Sequence, residues 1–339
     1  MTGLQSADHV TLLGQLFVIG LPGMDLDAST KRLIAEFRIN NFIYFKRNVS
    51  SREQLRQLSE DLRRACTTAG LSPPLIAIDQ EGGSVTRLPP PFTQFPDARV
   101  FAESQDPEKE LKTYARVCSQ ELKEVGVNYN LAPVLDVCEA GKKYFMEKRS
   151  LGEDPQTVGK LGSIIVRELQ ANSIAACGKH FPGLGEAVVD PHFQLPYVAK
   201  KESAILAQDI LPFQQAIAAG VASIMTSHTI YKHLDPQNPA TLSPKILTGL
   251  LRNRMGYQGV IITDDLEMGA IEKEGDLGSA ALQAFTAGAD LLLICHSHKK
   301  AIDALIKTAA AVAVSKELQA RVRESTGRVA LLRKRFAAG

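Results

Sequence analysis

The sequence predicts an α/β protein built as a single (β/α)8 TIM barrel. Eight short apolar runs rich in β-branched residues recur along the chain, and each is followed by a segment of helical period. Near-continuous apolar strands are typical of a parallel sheet buried on both faces, and eight strand–helix pairs fit a closed barrel. A doubly wound open sheet is the alternative. Because no repeat, low-complexity tract or linker divides the chain, we expect residues 1–339 to form one domain.

The predicted elements alternate along the whole chain. The strands are expected at residues 16–20, 42–45, 75–79, 129–137, 174–181, 223–228, 259–265 and 291–295. The helices are expected at residues 28–37, 51–69, 107–125, 155–172, 202–219, 243–254, 277–287, 299–311 and 316–336. A first helix is expected to run directly into the first strand. Residues 85–98 hold too many prolines for a helix and predict an extended segment after the third strand.

Composition and charge exclude several classes of protein. The chain has 39 Lys and Arg against 37 Asp and Glu, and this balance gives no electrostatic case for nucleic acid or for an anionic membrane surface. No run of 18 apolar residues predicts a membrane span, and the amino terminus lacks the basic region and cleavage site of a signal peptide. The five scattered cysteines form no CxxC pair and suit reduced, buried thiols. We therefore expect a cytoplasmic protein without nucleic-acid or membrane partners.

Polar side chains follow the predicted strands at one end. They are Lys46, Arg47, Asp79, Asp136, Lys179, His180, His228, Asp264, Asp265, Cys295 and His296. Any one of these residues could equally be a solvated residue or a helix cap. At least six strands, however, independently end in such residues at the same face of the barrel. Since barrel active sites lie at the carboxyl ends of the strands, the set predicts a polar cavity there. Such a cavity suits a polyhydroxylated small molecule.

Six motifs occur in order at successive strand ends. They are AIDQEGGSVTRL (77–88), KRSLGEDP (148–155), KHFPGLGEAVVDPH (179–192), IMTSHTIY (224–231), PATLSPKIL (239–247) and GVIITDDLEM (259–268). Together they resemble glycoside hydrolase family 3, and most closely its NagZ-type β-N-acetylglucosaminidases. The resemblance implies a retaining exo-glycosidase on a TIM barrel that removes terminal β-linked N-acetylglucosamine (GlcNAc). It further implies cytoplasmic action on muropeptide fragments in cell-wall recycling, with no cofactor or metal and no second domain.

The resemblance assigns catalytic roles to three residues. Asp264 ends the seventh strand, where a fixed carboxylate can attack the anomeric carbon as the nucleophile of a retaining enzyme; Asp265 is the better candidate for the N-cap of a following helix. His192 is implied as the acid/base, in place of the second Asp or Glu of most glycosidases. Asp190 lies two residues earlier, so on an extended backbone it could hold one ring nitrogen and leave the other for proton transfer.

The same comparison, position by position, implies the sugar-binding residues. Asp79 is expected to accept hydrogen bonds from two sugar hydroxyls, and Arg87 to donate to hydroxyls or to orient Asp79. The rest of the sugar subsite is expected to comprise Arg149, Lys179, His180 and His228.

The chain departs from many relatives at two positions of the 179–192 motif. Leu184 stands where they have His, which removes a loop contact that we expect to be dispensable. Pro191 stands where they have Ser or Thr. It fixes its own φ and biases Asp190 away from helical angles, so it either pre-sets the Asp190–His192 pair or restricts closure of the loop.

Four other functions fit part of the pattern. A metal-dependent barrel hydrolase would use as zinc ligands His180, His192, His228 and Asp264, although the chain has no HExxH motif. A sugar-binding barrel without activity would need neither Asp264 nor the Asp190–His192 pair. A glycoside phosphorylase is closer, because a histidine acid/base places no second carboxylate beside an incoming phosphate. A β-glycosidase of the same family with another sugar specificity is the last alternative.

Overall fold

Eight parallel strands form the centre of the molecule, which we describe from a computed structural model over residues 10–187, 195–272 and 276–337. The strands are β1 (Phe17–Gly20), β2 (Asn41–Tyr44), β3 (Leu75–Ile78), β4 (Tyr129–Asn130), β5 (Ala175–Phe181), β6 (Ser223–Thr226), β7 (Val260–Ile262) and β8 (Leu292–Ile294). Each pairs in parallel with the next from β1 to β7, and β8 pairs with β1. A bridge between Ile262 and Leu291 joins β7 to β8. The predicted barrel is therefore confirmed, and the open doubly wound sheet is wrong.

The helices lie close to their predicted positions. They are residues 10–14, Ala28–Phe37, Arg52–Thr68, Ala98–Ala102, Pro107–Glu124, Pro155–Ala171, Glu202–Ala204, Ile210–Ala218, Gly269–Glu272, Leu277–Ala287, His298–Val314 and Lys316–Phe336. π-Helical stretches occupy Ile205–Asp209 and Lys245–Arg254, and single 3₁₀ turns occupy Lys46–Asn48 and Ala240–Leu242. Two short strands outside the barrel, Tyr197–Val198 and Ile230–Tyr231, pair with each other in parallel.

Local sequence explains where several helices begin. The side chains of Ser51, Asp106 and Asp154 each accept a hydrogen bond from a backbone N–H of the first turn that would otherwise have no partner. Pro107 and Pro155 follow at the first helical position, where a missing N–H costs nothing. The proline-rich residues after β3 form no helix until Ala98, as predicted.

The fourth strand is shorter than predicted. Only Tyr129–Asn130 is regular, although the apolar pattern runs to residue 137. Pro133 has no N–H to donate to a ladder, and beyond it the chain bonds irregularly to β5, with Lys179 N donating to the Pro133 carbonyl over 3.1 Å. This departure brings Asp136 beside the carboxyl end of β5.

The remaining composition-based predictions concern thiols and membranes. All five cysteines are buried free thiols, in agreement with the sequence. Over the described ranges, no helix is both long and apolar enough to cross a membrane.

Candidate active site

A cavity of about 670 Å³ opens at the carboxyl ends of the strands, where the sequence predicts it. Six of the nine predicted site residues line it, namely Asp79, Arg87, Arg149, Lys179, His180 and Asp264. A neighbouring recess of about 170 Å³ shares three of these with the cavity, namely Asp79, Arg87 and Asp264. The barrel thus collects side chains from β3, β5, β7 and the β4–β5 connection at one place.

Five charged side chains at one side of the cavity form a continuous ion-pair network, made of Asp79, Glu81, Arg87, Arg149 and Lys179. The Lys179 ammonium donates to Asp79 Oδ1 over 2.7 Å and lies 2.7 Å from Glu81 Oε1. The Arg149 guanidinium binds both oxygens of Glu81, over 2.8 and 2.7 Å. Arg87 Nη2 donates to Asp79 Oδ2 over 3.2 Å.

The network keeps Asp79, Glu81 and Lys179 charged despite their burial. Burial by itself would raise the pKa of Glu81, but Arg149 and Lys179 lower it to about 2. Burial likewise opposes a low pKa at Asp79, which Lys179 and Arg87 bring well below its ordinary value. Burial would lower the pKa of Lys179, whose side chain is 2% exposed, but Asp79 and Glu81 raise it. Charged donors and acceptors held this rigidly can orient the hydroxyl groups of a sugar.

Glu81 is the network member that the sequence analysis missed. It opens the EGG segment (81–83), in which Gly82 and Gly83 have φ values of 111° and 52° that favour glycine. A charge count would have found Glu81, because the predicted subsite contained three cations, Arg87, Arg149 and Lys179, but one carboxylate. Buried charges need partners, and Glu81 is the acidic residue nearest to Asp79 in the sequence.

His180 is held from behind by Asp136. Asp136 is fully buried, and its Oδ2 lies 2.8 Å from His180 Nδ1. Its Oδ1 accepts hydrogen bonds from the backbone N–H groups of His180 over 3.2 Å and of Leu184 over 2.6 Å. The sequence placed Asp136 at the rim of the barrel without a role.

Asp264 follows β7 and is half-buried in the cavity wall. Its Oδ1 accepts a hydrogen bond from the backbone N–H of Asp265 over 2.8 Å. In the described part of the chain it forms no ion pair with a lysine or arginine. Its carboxylate therefore stands in the cavity without the tight cationic partners that occupy Asp79 and Glu81.

Asp265 lies behind Asp264 and differs from its predicted role. We expected a helix N-cap, but its Oδ1 accepts from the backbone N–H groups of Glu267 over 3.1 Å and of Cys295 over 3.2 Å, and the following residues form a turn. The helix begins later, at Gly269. Burial, with Glu267 and Asp264 nearby, raises the pKa of Asp265 to about 7.

His228 lies beneath the cavity and not among the residues that line it. Its ring is 1% exposed, and Nε2 donates to the carbonyl of Asp265 over 2.9 Å while Nδ1 contacts Thr241 Oγ1 over 2.8 Å. A carbonyl can only accept, so Nε2 carries a hydrogen. His228 thereby fixes the backbone that carries Asp264. Its sequence position at a strand end could not distinguish this role from sugar binding.

The predicted acid/base pair lies outside the described residues, since these omit 188–194 and with them Asp190, Pro191 and His192. Leu184, four residues before residue 188, is 2% exposed and packs with Val134 and Met146. Leu184 is therefore an apolar part of the cavity wall.

A metal site finds no support in the described ranges. There, no group of three or more His, Cys, Asp or Glu side chains is arranged to hold a metal ion. His228, one of the candidate zinc ligands, has a protein contact at each ring nitrogen.

Comparison with known proteins identifies the family. Residues 11–332 match the glycosyl hydrolase family 3 N terminal domain. A β-hexosaminidase of Thioalkalivibrio sulfidiphilus is 37% identical over 296 residues, which are 85% of this chain and 83% of that protein. A β-hexosaminidase of Nitrosomonas eutropha is 36% identical over 300 residues, 86% of this chain and 84% of that protein.

Two solved structures agree with this assignment. A family 3 β-N-acetylglucosaminidase of Paenibacillus superposes on the whole chain with a TM-score of 0.91 and 36% identity, and this chain spans 64% of that one. NagZ of Neisseria gonorrhoeae, solved with N-trifluoroacetyl-D-glucosamine, superposes with a TM-score of 0.75 and 26% identity, over 93% of this chain and 98% of that one. The protein is thus a barrel glycosidase that hydrolyses O-glycosyl bonds. It belongs to glycosyl hydrolase family 3.

Proposed function

We propose that the protein is a retaining exo-β-N-acetylglucosaminidase, a β-N-acetylhexosaminidase that releases terminal β-linked GlcNAc. The observation that carries this proposal is the arrangement of the cavity, in which the Asp264 carboxylate forms no ion pair with the lysines and arginines of the described residues and lies in the same wall as the ion-pair network. The names of the relatives supply the sugar class, because two are β-hexosaminidases and one solved neighbour binds a derivative of glucosamine.

In the proposed mechanism the Asp264 carboxylate attacks the anomeric carbon and forms a covalent glycosyl ester, while the bond to the leaving oxygen breaks. His192, held by Asp190, gives its proton to that oxygen. In the second half, His192 takes a proton from water, the water oxygen bonds to the anomeric carbon, and the Asp264 carboxylate is released. Two inversions retain the configuration of the sugar.

The ion-pair network serves as the binding side of this site. Asp79 is proposed to accept from two sugar hydroxyls while Lys179 and Arg87 fix its orientation. Arg87 Nε is buried and makes no hydrogen bond to the residues described, while the Arg87 side chain lines the cavity beside Asp79. Arg149 and His180 complete the subsite. Because the ion pairs fix these groups before substrate arrives, little ordering is left for the binding step.

The biological setting is part of the proposal. We infer that the enzyme acts in the cytoplasm on muropeptide fragments from cell-wall recycling, as one domain over residues 1–339. The resemblance of the motifs to NagZ-type enzymes and the structural likeness to a NagZ support this inference.

A panel of aryl β-glycosides that differ only at the 2-substituent tests the function. We expect the 2-acetamido glycoside to exceed the 2-hydroxy and 2-deoxy glycosides in kcat/KM by about tenfold or more, since the sugar class depends on that group. The product should be free sugar of retained configuration, also in phosphate buffer, and a chelator should leave the rate unchanged.

Each alternative has its own outcome in this panel. Preference for the 2-hydroxy glycoside would indicate a β-glucosidase-like enzyme. Sugar phosphate formed in phosphate buffer would indicate a phosphorylase, and loss of rate with the chelator a metal enzyme. Binding of the glycosides without turnover would indicate an inactive sugar-binding barrel.

A further inference from the structure

Asp136 joins two parts of the cavity wall that belong to different segments of the chain. Its side chain is 0% exposed and lies between His180, at the end of β5, and Leu184, four residues later. Its own carbonyl accepts a hydrogen bond from Ser150 Oγ over 2.7 Å, next to Arg149 of the ion-pair network. One carboxyl group thus connects the irregular end of β4 with the β5 end and the start of the following loop.

The hydrogen-bonding pattern at Asp136 fixes one form of the His180 ring. Oδ1 already accepts from two backbone N–H groups, and Oδ2 faces His180 Nδ1 at 2.8 Å. A carboxylate accepts hydrogen bonds, so the hydrogen of a neutral ring belongs on Nδ1. Nε2 then carries a lone pair. It makes no hydrogen bond to the described residues, and the ring lines the cavity.

We propose that Asp136 is a positioning residue that holds His180 in the Nδ1–H form, so that Nε2 accepts a hydrogen bond from a sugar hydroxyl. This inference rests on the proposed glycosidase function and adds a residue to its machinery. Asp136 does not touch the substrate in this account. It acts through the orientation and the hydrogen position of His180, and through the backbone of Leu184, which it keeps at the cavity wall.

Asp136→Asn separates this role from plain structural support, because the amide keeps the size and one acceptor oxygen. With that oxygen turned to the two backbone N–H groups, the amide nitrogen faces His180 Nδ1 and donates to it. The ring hydrogen then moves to Nε2, which becomes a donor toward the cavity. NMR of the ring nitrogens, with signals identified through His180→Gln, should show the exchange of the two forms.

The kinetic effect of this variant should have a defined pattern. We expect kcat/KM on the aryl GlcNAc substrate to fall by about 3- to 10-fold, the range for loss of one hydrogen bond between uncharged groups. Because His180 does not protonate the leaving group, the loss should be equal for good and poor leaving groups. An Asp136→Ala variant offers His180 Nδ1 neither the carboxylate acceptor of the wild type nor the amide donor of Asp136→Asn. It should also lose activity, but its His180 ring should not be fixed in the Nε2–H form.

Asp235→Asn is the matched control. Asp235 is also buried, and its oxygens accept from Ser243 Oγ, Asn238 Nδ2 and the backbone of Gln237, but it does not line the cavity. We expect this variant to leave the His180 nitrogen signals unchanged. Its kcat/KM should stay within about twofold of wild type at equal folded fraction.

The outcomes distinguish this inference from the proposed function. An unchanged His180 form in Asp136→Asn, or an exchanged form with unchanged kcat/KM, would overturn the positioning role while wild-type turnover stands. A wild-type enzyme that cleaves none of the aryl glycosides would overturn the proposed function, and with it the catalytic part of this one.

Discussion

The two sides of the cavity treat their carboxylates in opposite ways. On one side, Asp79 and Glu81 follow β3 and are surrounded by arginine and lysine side chains, among them Lys179 of β5. These cations hold the pKa values of both carboxylates low. At the end of β7, Asp264 accepts a backbone hydrogen bond and the pKa of the adjacent Asp265 rises to about 7. Tight ion pairing orders a binding group, but it also ties up the oxygen lone pairs that a nucleophile must offer to carbon. The contrast supports our proposal that the first side binds the sugar and that the second side carries the nucleophile.

Replacing the Asp264 carboxylate should give the largest effect. We expect Asp264→Asn to lower kcat on the aryl GlcNAc substrate on the order of 10³-fold or more, as for loss of other nucleophiles. The variant keeps an acceptor for the Asp265 N–H, so its thermal melting should match wild type. Retention of more than about a tenth of the activity, a loss under ~1.4 kcal/mol, would contradict the nucleophile assignment.

Two residues are compared as the source of the proton for the leaving oxygen, the proposed acid His192 and Asp265 at the end of β7. His192→Ala should lose about 10²- to 10⁴-fold on glycosides with poor leaving groups and far less on an activated nitrophenol, since only the former need protonation. Asp265→Asn serves as the comparison, because a pKa of about 7 makes Asp265 the rival acid among the described residues. If Asp265→Asn shows the leaving-group dependence and His192→Ala does not, the proton comes from the end of β7.

Breaking the ion-pair network should cost stability as well as binding. Glu81→Gln leaves the buried cations Arg149 and Lys179 with one carboxylate fewer, and we expect the free energy of unfolding in urea to fall by about 3–5 kcal/mol. The control is Glu36→Gln, which breaks an exposed pair with Arg32 and should change it by about 0.5 kcal/mol or less. Equal effects of the two variants would mean that the network contributes no more than a surface pair.

The smallest expected effect is the pH dependence contributed by Asp265. The folded protein holds this proton up to about pH 7, whereas the unfolded carboxyl releases it near its ordinary value of 3.8. The folded state therefore binds more protons between these values, and the free energy of unfolding falls as the pH rises through this window. Between about pH 5.5 and 7.0 the contribution is at most about 2 kcal/mol.

Asp265→Asn should make the fall in stability over this pH range shallower, as measured by urea unfolding at several pH values. Asp209, whose pKa burial raises to about 6, changes stability in the same direction, but it is present in both proteins. The difference between the two curves therefore isolates Asp265. Parallel curves would show that Asp265 is ionised throughout the range.

The barrel could be predicted because its signals are local. Each strand carries its own apolar run, and several helices begin at a capping side chain that the sequence shows directly. The exception is β4, where the apolar pattern continues past Pro133 but the regular ladder does not. The apolar pattern indicates which residues are buried. Pro133 lacks the N–H that a strand needs for regular pairing, but it is buried all the same, so the pattern does not show where the strand ends.

The sequence could predict which residues lie at the strand ends of the site, but not which of them contact each other. Asp79, Lys179 and Asp264 were found because parallel strands bring their carboxyl ends together. The contact of Glu81 with Arg149 joins residues 68 positions apart, and no local pattern reports it. His228 shows the limit of strand-end reasoning, since a residue there can face the cavity or support it from below.

Trapping of the covalent intermediate tests the central claim most directly. A 5-fluoro derivative of GlcNAc glycosyl fluoride, which keeps the 2-acetamido group, should inactivate the enzyme, and peptide mapping by mass spectrometry should locate the sugar on Asp264. Asp264→Asn should remain unlabelled under the same conditions. A label on any other residue, or complete inactivation without a covalent sugar, would contradict the account.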